Sequence, residues 1–273
     1  THQMFRSLRV ITTASRHIPL LANYAAMATT AAAPAPARSF TKEVLPPALG
    51  AVSEPPPLFD GTTRLYICYI CPFAQRAWVT RNCKGLHDEI KLVAINLEDK
   101  PAWYKDKVYP QGTVPSLEHS GKVAGESLDL IKYIDTNFQG PTLLPQDPAK
   151  RQFADELIAY ADAFTKALYA PLISRVDMSD EAVAALDKIE AALSKFSDGP
   201  FFLGQLSLAD IAYVTILERL QIYYSHLRSY EISEGRPNVA KFIQEMNKVE
   251  AYKQTKNQPL VLLDAAKRHL KIA

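Results

Sequence analysis

The stretch Arg64-Leu65-Tyr66-Ile67-Cys68-Tyr69-Ile70-Cys71-Pro72-Phe73-Ala74-Gln75-Arg76 decides how this chain is read. Its first half is rich in β-branched and aromatic residues and long enough for one buried strand. Ala77, Trp78, Val79 and Arg81 then continue in a pattern a helix accepts, closed near Lys84-Gly85 by a basic residue and a glycine. Pro72 fits the first helical position, where a missing N–H costs nothing. Cys71 therefore stands at a strand–helix junction, beside free backbone N–H groups and the positive end of the helix dipole. That setting favours the thiolate, the form in which cysteines react, and predicts a Cys71 pKa below the ~8.5 of a free cysteine. An inert buried cysteine is the ordinary alternative. The strand–Cys–Pro–helix context speaks for the reactive one.

Working outward, Ile90-Lys91-Leu92-Val93-Ala94-Ile95-Asn96 reads as a second strand, and the intervening helix has crossover length, so the two strands should be parallel. Leu97 to Tyr109, charged and aromatic, predicts a short helix or irregular connection. Thr113–Glu118 and Lys122–Ala124 flank the hairpin signal Ser120-Gly121. Glu126 to Phe138 then places Leu128, Ile131 and Ile134 at helical spacing. The order β-α-β-α-β-β-α over residues 58–140 is that of an α/β thioredoxin-like domain. Pro141 to Pro148 reads as a joint, and residues 141–273 as an all-α helical domain. Phe153, Leu157, Tyr160, Phe164 and Leu168 mark its first helix, which Pro171 should end or kink. Val183 to Phe196 marks a second, ended by Gly199-Pro200. Ser207-Leu208-Ala209-Asp210 opens a third through a capping box, with Leu206 and Ile211 as its staple. Further helices are predicted near Val239–Met246 and Leu260–Leu270.

The chain has 273 residues, 48% of them hydrophobic, with 31 basic and 29 acidic side chains. Residues 1–42 hold five of the basic residues (Arg6, Arg9, Arg16, Arg38, Lys42) and no acid, so the remainder is net −3. A mildly acidic body gives no reason to expect nucleic acid as a partner. Cys68, Cys71 and Cys83 are too few and too close for a disulfide framework, which fits a reducing compartment. The basic, acid-free start reads as an organelle transit peptide, chloroplast first and mitochondrion second. A merely disordered tail is the plainer reading. Met4 is the first candidate start, with Thr1-His2-Gln3 as a translation artefact; a start at Met27 would skip most of the basic segment and leave the protein in the cytoplasm. Lys42 to Pro57, with Pro46-Pro47 and Pro55-Pro56-Pro57, reads as an extended linker, so residues 1–57 are expected to be disordered and folding to begin near Leu58. No stretch approaches the ~18 apolar residues of a membrane span.

Three groups of residues carry chemistry. Cys68 and Cys71 form a C-x-x-C string in the wrong register for a dithiol: the helix-opening cysteine is Cys71, and three residues on is Ala74. Cys68 falls in the strand as packing, so a mixed disulfide on Cys71 needs an external thiol. Metal binding has too few ligands to be expected. Val114-Pro115 opens a strand; it reads either as a cis peptide that frees the Val114 backbone for a peptide ligand or as an ordinary edge-strand proline. Glu126-Ser127 opens a helix, where Ser127 and the free N–H groups can bind a carboxylate and Glu126 an amino group, or where the pair simply caps.

Together the Cys-Pro-Phe-Ala-Gln-Arg turn, Val114-Pro115, Glu126-Ser127 and the Ser207-Leu208-Ala209-Asp210 cap resemble the glutathione transferase superfamily, from Leu58 to the C-terminus. Tyr69 through Asp99-Lys100-Pro101-Ala102-Trp103-Tyr104 is most similar to the plant lambda class, a close relative of the omega class. The resemblance implies that Cys71 is catalytic, in place of the Ser or Tyr of other classes. It also implies that Phe73, Lys100, Val114, Pro115, Glu126 and Ser127 bind glutathione, the co-substrate, and that the protein is a monomer rather than a dimer. A thiolate there attacks a glutathione-bearing sulfur instead of only stabilising bound glutathione. The expected activity is therefore thiol transfer, removing glutathione from small, hydrophobic or aromatic conjugates or from mixed disulfides. The rivals are a dehydroascorbate reductase and a non-catalytic carrier of planar ligands such as flavonoids.

Overall fold

A computed structural model of the protein describes residues 43–270, and the targeting segment read in residues 1–42 lies outside them. β1 (Thr63–Ile67) forms inside a four-stranded sheet of order β2-β1-β3-β4. It pairs in parallel with β2 (Ile90–Ala94), Leu65 beside Leu92, and antiparallel with β3 (Ser116–His119), Leu65 beside Leu117. The expected hairpin joins β3 to β4 (Lys122–Gly125) through Ser120 and Gly121, both at positive φ, as a tight two-residue turn demands. Between β2 and β3 the connection is a single π-helical turn, Tyr104–Val108.

α1 (Pro72–Cys83) and α2 (Ser127–Asn137) pack on one another beside the sheet. Both ends of α1 follow the sequence: Pro72 is at the first position and Lys84-Gly85 closes the last turn. What the sequence does not convey is that α1 is buried on all sides, polar residues included. Several of those polar side chains bond across the molecule, while Arg76 Nη2 and Trp78 Nε1 stay without a hydrogen-bond partner among the described residues. Arg76 Nε donates to the Ala212 carbonyl at 2.9 Å, Asn82 Nδ2 to the Ala251 carbonyl at 3.2 Å and Gln75 Nε2 to Thr255 Oγ1 at 2.9 Å. α1 thus plugs into the helical domain.

That domain comprises α3 (Pro148–Ser174), α4 (Asp180–Leu193), α5 (Leu208–Arg228), α6 (Pro237–Met246), α7 (Glu250–Lys253) and α8 (Pro259–Leu270). α5 is its buried centre, opened by the predicted capping box: Ser207 N–H and Oγ–H donate to Asp210 Oδ2 at 2.7 and 2.6 Å, and Phe202 N–H donates to Oδ1 at 3.0 Å. Two expectations shift. α3 runs one turn past Pro171 and ends where Arg175 takes a left-handed conformation, and α4 stops at Leu193, short of Phe196. Among the described residues no helix is long and apolar enough to cross a membrane.

The linker reading of Lys42–Pro57 is corrected for residues 43–57, which dock on the body. Leu49 pairs beside Ile95, donating to the Ala94 carbonyl at 2.8 Å and accepting from Asn96 N–H at 2.9 Å. Glu43 takes the guanidinium of the fully buried Arg81 in a two-pronged pair at 2.7 and 2.8 Å. Prolines hold the arm extended and remove its donors, so side chains of the body donate to it instead. Tyr69 Oη–H bonds the Pro46 carbonyl, and Trp103 Nε1–H the Ser53 carbonyl at 2.8 Å. Ordered chain therefore begins no later than Glu43, not at Leu58.

Candidate functional site

Cys71 is the residue that turns β1 into α1. Its extended backbone (φ −80°, ψ 119°) caps the helix, its carbonyl accepts from Gln75 N–H at 3.0 Å, and its own N–H closes on the Cys68 carbonyl at 3.0 Å. The thiol faces Val114, whose carbonyl lies 4.0 Å from Sγ. The Val114–Pro115 peptide is cis, so of the two readings of that proline the structure has the first geometry. Cys71 is only 2% exposed, and here an expectation fails. Burial pushes the thiol up to about 11, with Cys68 nearby adding to the rise; the N–H groups of Ala74 and Phe73 and the charge of Arg219 pull the other way and lose. The helix N-terminus is present as expected, but desolvation outweighs it. Cys68 is also buried with its thiol raised, and no cysteine is paired.

Above this turn lies a cleft of about 310 Å³ between the two domains. Phe73, Val114, Pro115, Glu126 and Ser127 all line it, so five of the candidate binding residues come together. Cys71 sits beneath Val114 rather than on the wall. Lys100 is not brought to the cleft: its ammonium bonds the Gly112 carbonyl at 2.7 Å. At the start of α2, Glu126 (φ 66°) makes no side-chain cap, and the Ser127 hydroxyl accepts from Arg76 Nη1 at 3.1 Å. Ser127 is thus held by the body, not used on its own helix, which leaves the first N–H groups of α2 for an anion. Burial, with Asp129 and Asp162 next, raises the Glu126 carboxyl.

Two residues escaped the sequence reading. Arg76 stood in the quoted turn without a role; it is fully buried under Ser127, lowered to about 10 by burial, with Asp162 Oδ1 at 3.9 Å from Nη1. Asp162 lines the cleft from α3. Neither carries a local sequence signal: Arg76 reaches Ser127 from 51 positions away, and Asp162 meets the site only through the docking of the domains. Among the described residues no group of three or more His, Cys, Asp or Glu side chains is arranged to hold a metal ion.

Residues 65–142 match the family profile described as "Glutathione S-transferase, N-terminal domain", and residues 152–245 match "Glutathione S-transferase, C-terminal domain". The chain belongs to the glutathione transferase family. Its similarity to curated relatives covers the cysteine turn and both domains of this glutathione transferase. Protein IN2-1 homolog A of Oryza sativa subsp. japonica is 76% identical over 89% of this chain and 100% of its own length. Glutathione S-transferase L3 and Glutathione S-transferase L2, chloroplastic, both of Arabidopsis thaliana, are each 54% identical over 82% of this chain, and over 94% and 76% of their own. These put the transferase in the lambda class. Among solved structures, glutathione transferase Omega 3C from Trametes versicolor shares the fold at a TM-score of 0.65, with 24% identity over 78% of this chain and 93% of that one.

Proposed function

We propose that this glutathione transferase works as a thiol transferase through Cys71, removing glutathione from mixed disulfides and small hydrophobic or aromatic conjugates. The observation that supports the reading most is the position of Cys71 Sγ 4.0 Å from the carbonyl of Val114, a residue that lines the same cleft as Ser127 and Glu126. In this reading the exposed N–H groups of α2 and Ser127 take the α-carboxylate of glutathione, Glu126 its ammonium, and Val114 its cysteinyl backbone, which brings the substrate sulfur toward Cys71. The Cys71 thiolate attacks the glutathione sulfur of G–S–S–R. A Cys71–S–S–G bond forms as the S–S bond to R breaks, and R leaves as its thiolate. A second glutathione thiolate attacks the adduct, giving G–S–S–G and restoring Cys71. The net reaction exchanges G–S–S–R and one free glutathione for G–S–S–G and RSH, so one glutathione thiol is oxidised for each RSH released.

Mass spectrometry after treatment with oxidised glutathione tests this. One glutathione should add, at Cys71, and reduced glutathione should remove it; Cys71→Ser should add none and lose thiol transfer. A Cys68–Cys71 disulfide as the main oxidised species counts against it. We also place the protein in plastids, on the basic, acid-free composition of residues 1–42 and the chloroplastic name of an Arabidopsis relative. A fusion of residues 4–57 to a fluorescent protein that stayed diffuse in the cytosol would overturn that assignment.

A further inference from the structure

Behind the Cys71 turn sits a fully buried arginine of α5. Arg219 Nη1 donates to Gln75 Oε1, to Glu218 Oε2 at 2.6 Å and to the Thr215 carbonyl at 3.2 Å, and Nη2 reaches the Ile70 carbonyl at 3.4 Å. Ile70 immediately precedes Cys71, and Gln75 lies one helical turn beyond it. One guanidinium from the helical domain therefore grips the active-site turn on both sides of the cysteine. Gln75 is fixed in turn by Thr255, and Asn257 Nδ2 holds the Tyr69 carbonyl at 2.7 Å. Arg219 Nε, equally buried, has no hydrogen-bond partner.

The surrounding charges leave this site positive. Glu218 gives one oxygen to Arg219 and the other to Lys256 at 3.3 Å, so the trio carries one net positive charge. Tyr169, Tyr223 and Tyr252 face it as phenols whose pKa values burial raises. Cys68, Tyr104 and a second guanidinium, that of Arg76, also act electrostatically on the cysteine. In a water-poor setting such a charge is weakly screened. We infer that Arg219 is a positioning residue for the thiol chemistry: reaching across the domain interface, it fixes the Cys71 turn through Ile70 and Gln75 and supplies the buried positive charge against which a Cys71 thiolate forms. The inference rests on Cys71 being the nucleophile.

The test is the rate at which iodoacetamide alkylates Cys71 in the full chain, followed by mass spectrometry across a pH series, in the wild type and in Arg219→Gln, Arg219→Lys and Glu218→Gln. Arg219→Gln should slow alkylation about tenfold at a given pH, the effect of a one-unit rise in pKa. Arg219→Lys should recover most of that loss. Glu218→Gln, which removes the opposing charge, should speed alkylation. Wild-type rates in folded Arg219→Gln overturn the inference, as does a lysine variant no better than the glutamine one. Where Arg219→Gln does not fold, Glu218→Gln decides, and a rate unmoved or slower overturns it. A wild-type Cys71 that accepts neither alkyl group nor glutathione removes the nucleophile reading, and this inference with it. A Cys71 that takes glutathione normally while the Arg219 variants match the wild type removes this inference alone.

Discussion

At Cys71 a helix N-terminus and a buried charge work against desolvation, and in the ligand-free protein desolvation prevails. A thiol held near 11 is scarce as thiolate at neutral pH, but that thiolate is a strong nucleophile and a poor leaving group. Alkylation of Cys71 should therefore climb about tenfold per pH unit between 7 and 9 without levelling; a plateau near neutrality would mean that the sulfur is far better stabilised than its burial implies. The same shift ties stability to pH. Because the folded thiol binds its proton more tightly than the ordinary value of 9.0, its contribution is complete below about 9 and is lost as pH rises toward about 11. Cys71→Ser should flatten the alkaline arm of a pH–stability curve in that window. The sequence carried the helix start at Cys71 because Pro72 and the preceding strand are local signals. It could not carry the burial, which depends on Val114, 43 residues away, nor the diversion of Lys100 onto Gly112.

Among the elements, the β4–α2 corner sets the cleft. A Cβ on Gly125 would lie 1.9 Å from the Tyr109 hydroxyl, so only glycine lets the strand pass over that ring on its way to Glu126-Ser127. Gly125→Ala should raise the KM for glutathione several-fold while the alkylation of Cys71 keeps its rate; a fall in both would instead point to general unfolding. The α5 start is a second such corner. Asp210 is buried and accepts from Ser207 and Phe202, so Asp210→Ala should cost roughly 2 kcal/mol or more, read as a lowered denaturation midpoint. The hairpin, the Ser207 cap and the helix periodicity were legible, since each depends on residues a few positions apart. The polar face of α1 was not, because its partners Ala212, Ala251 and Thr255 lie in another domain.

For the whole molecule, the docked arm changes what a truncation does. A chain starting at residue 54 lacks Glu43, Pro46, Leu49 and Ser53, and leaves the buried Arg81 guanidinium without its carboxylate. That partly buried pair goes together with the Leu49 backbone pairing and the Tyr69 and Trp103 hydrogen bonds, so this chain should melt several degrees below one starting at residue 43; equal midpoints would show that the arm adds nothing. Proline content made the arm read as a spacer, and the tyrosine and tryptophan donors that hold it are remote in sequence. The polar plug of α1 has a different consequence, for recombination. A chimera joined within Pro141–Pro148 takes Gln75 and Arg76 from one parent and Arg219 and Thr255 from another. Such hybrids should retain their fold only where the second parent offers the same sockets, so the natural unit of exchange in this transferase is the helix with its sockets, and not the domain.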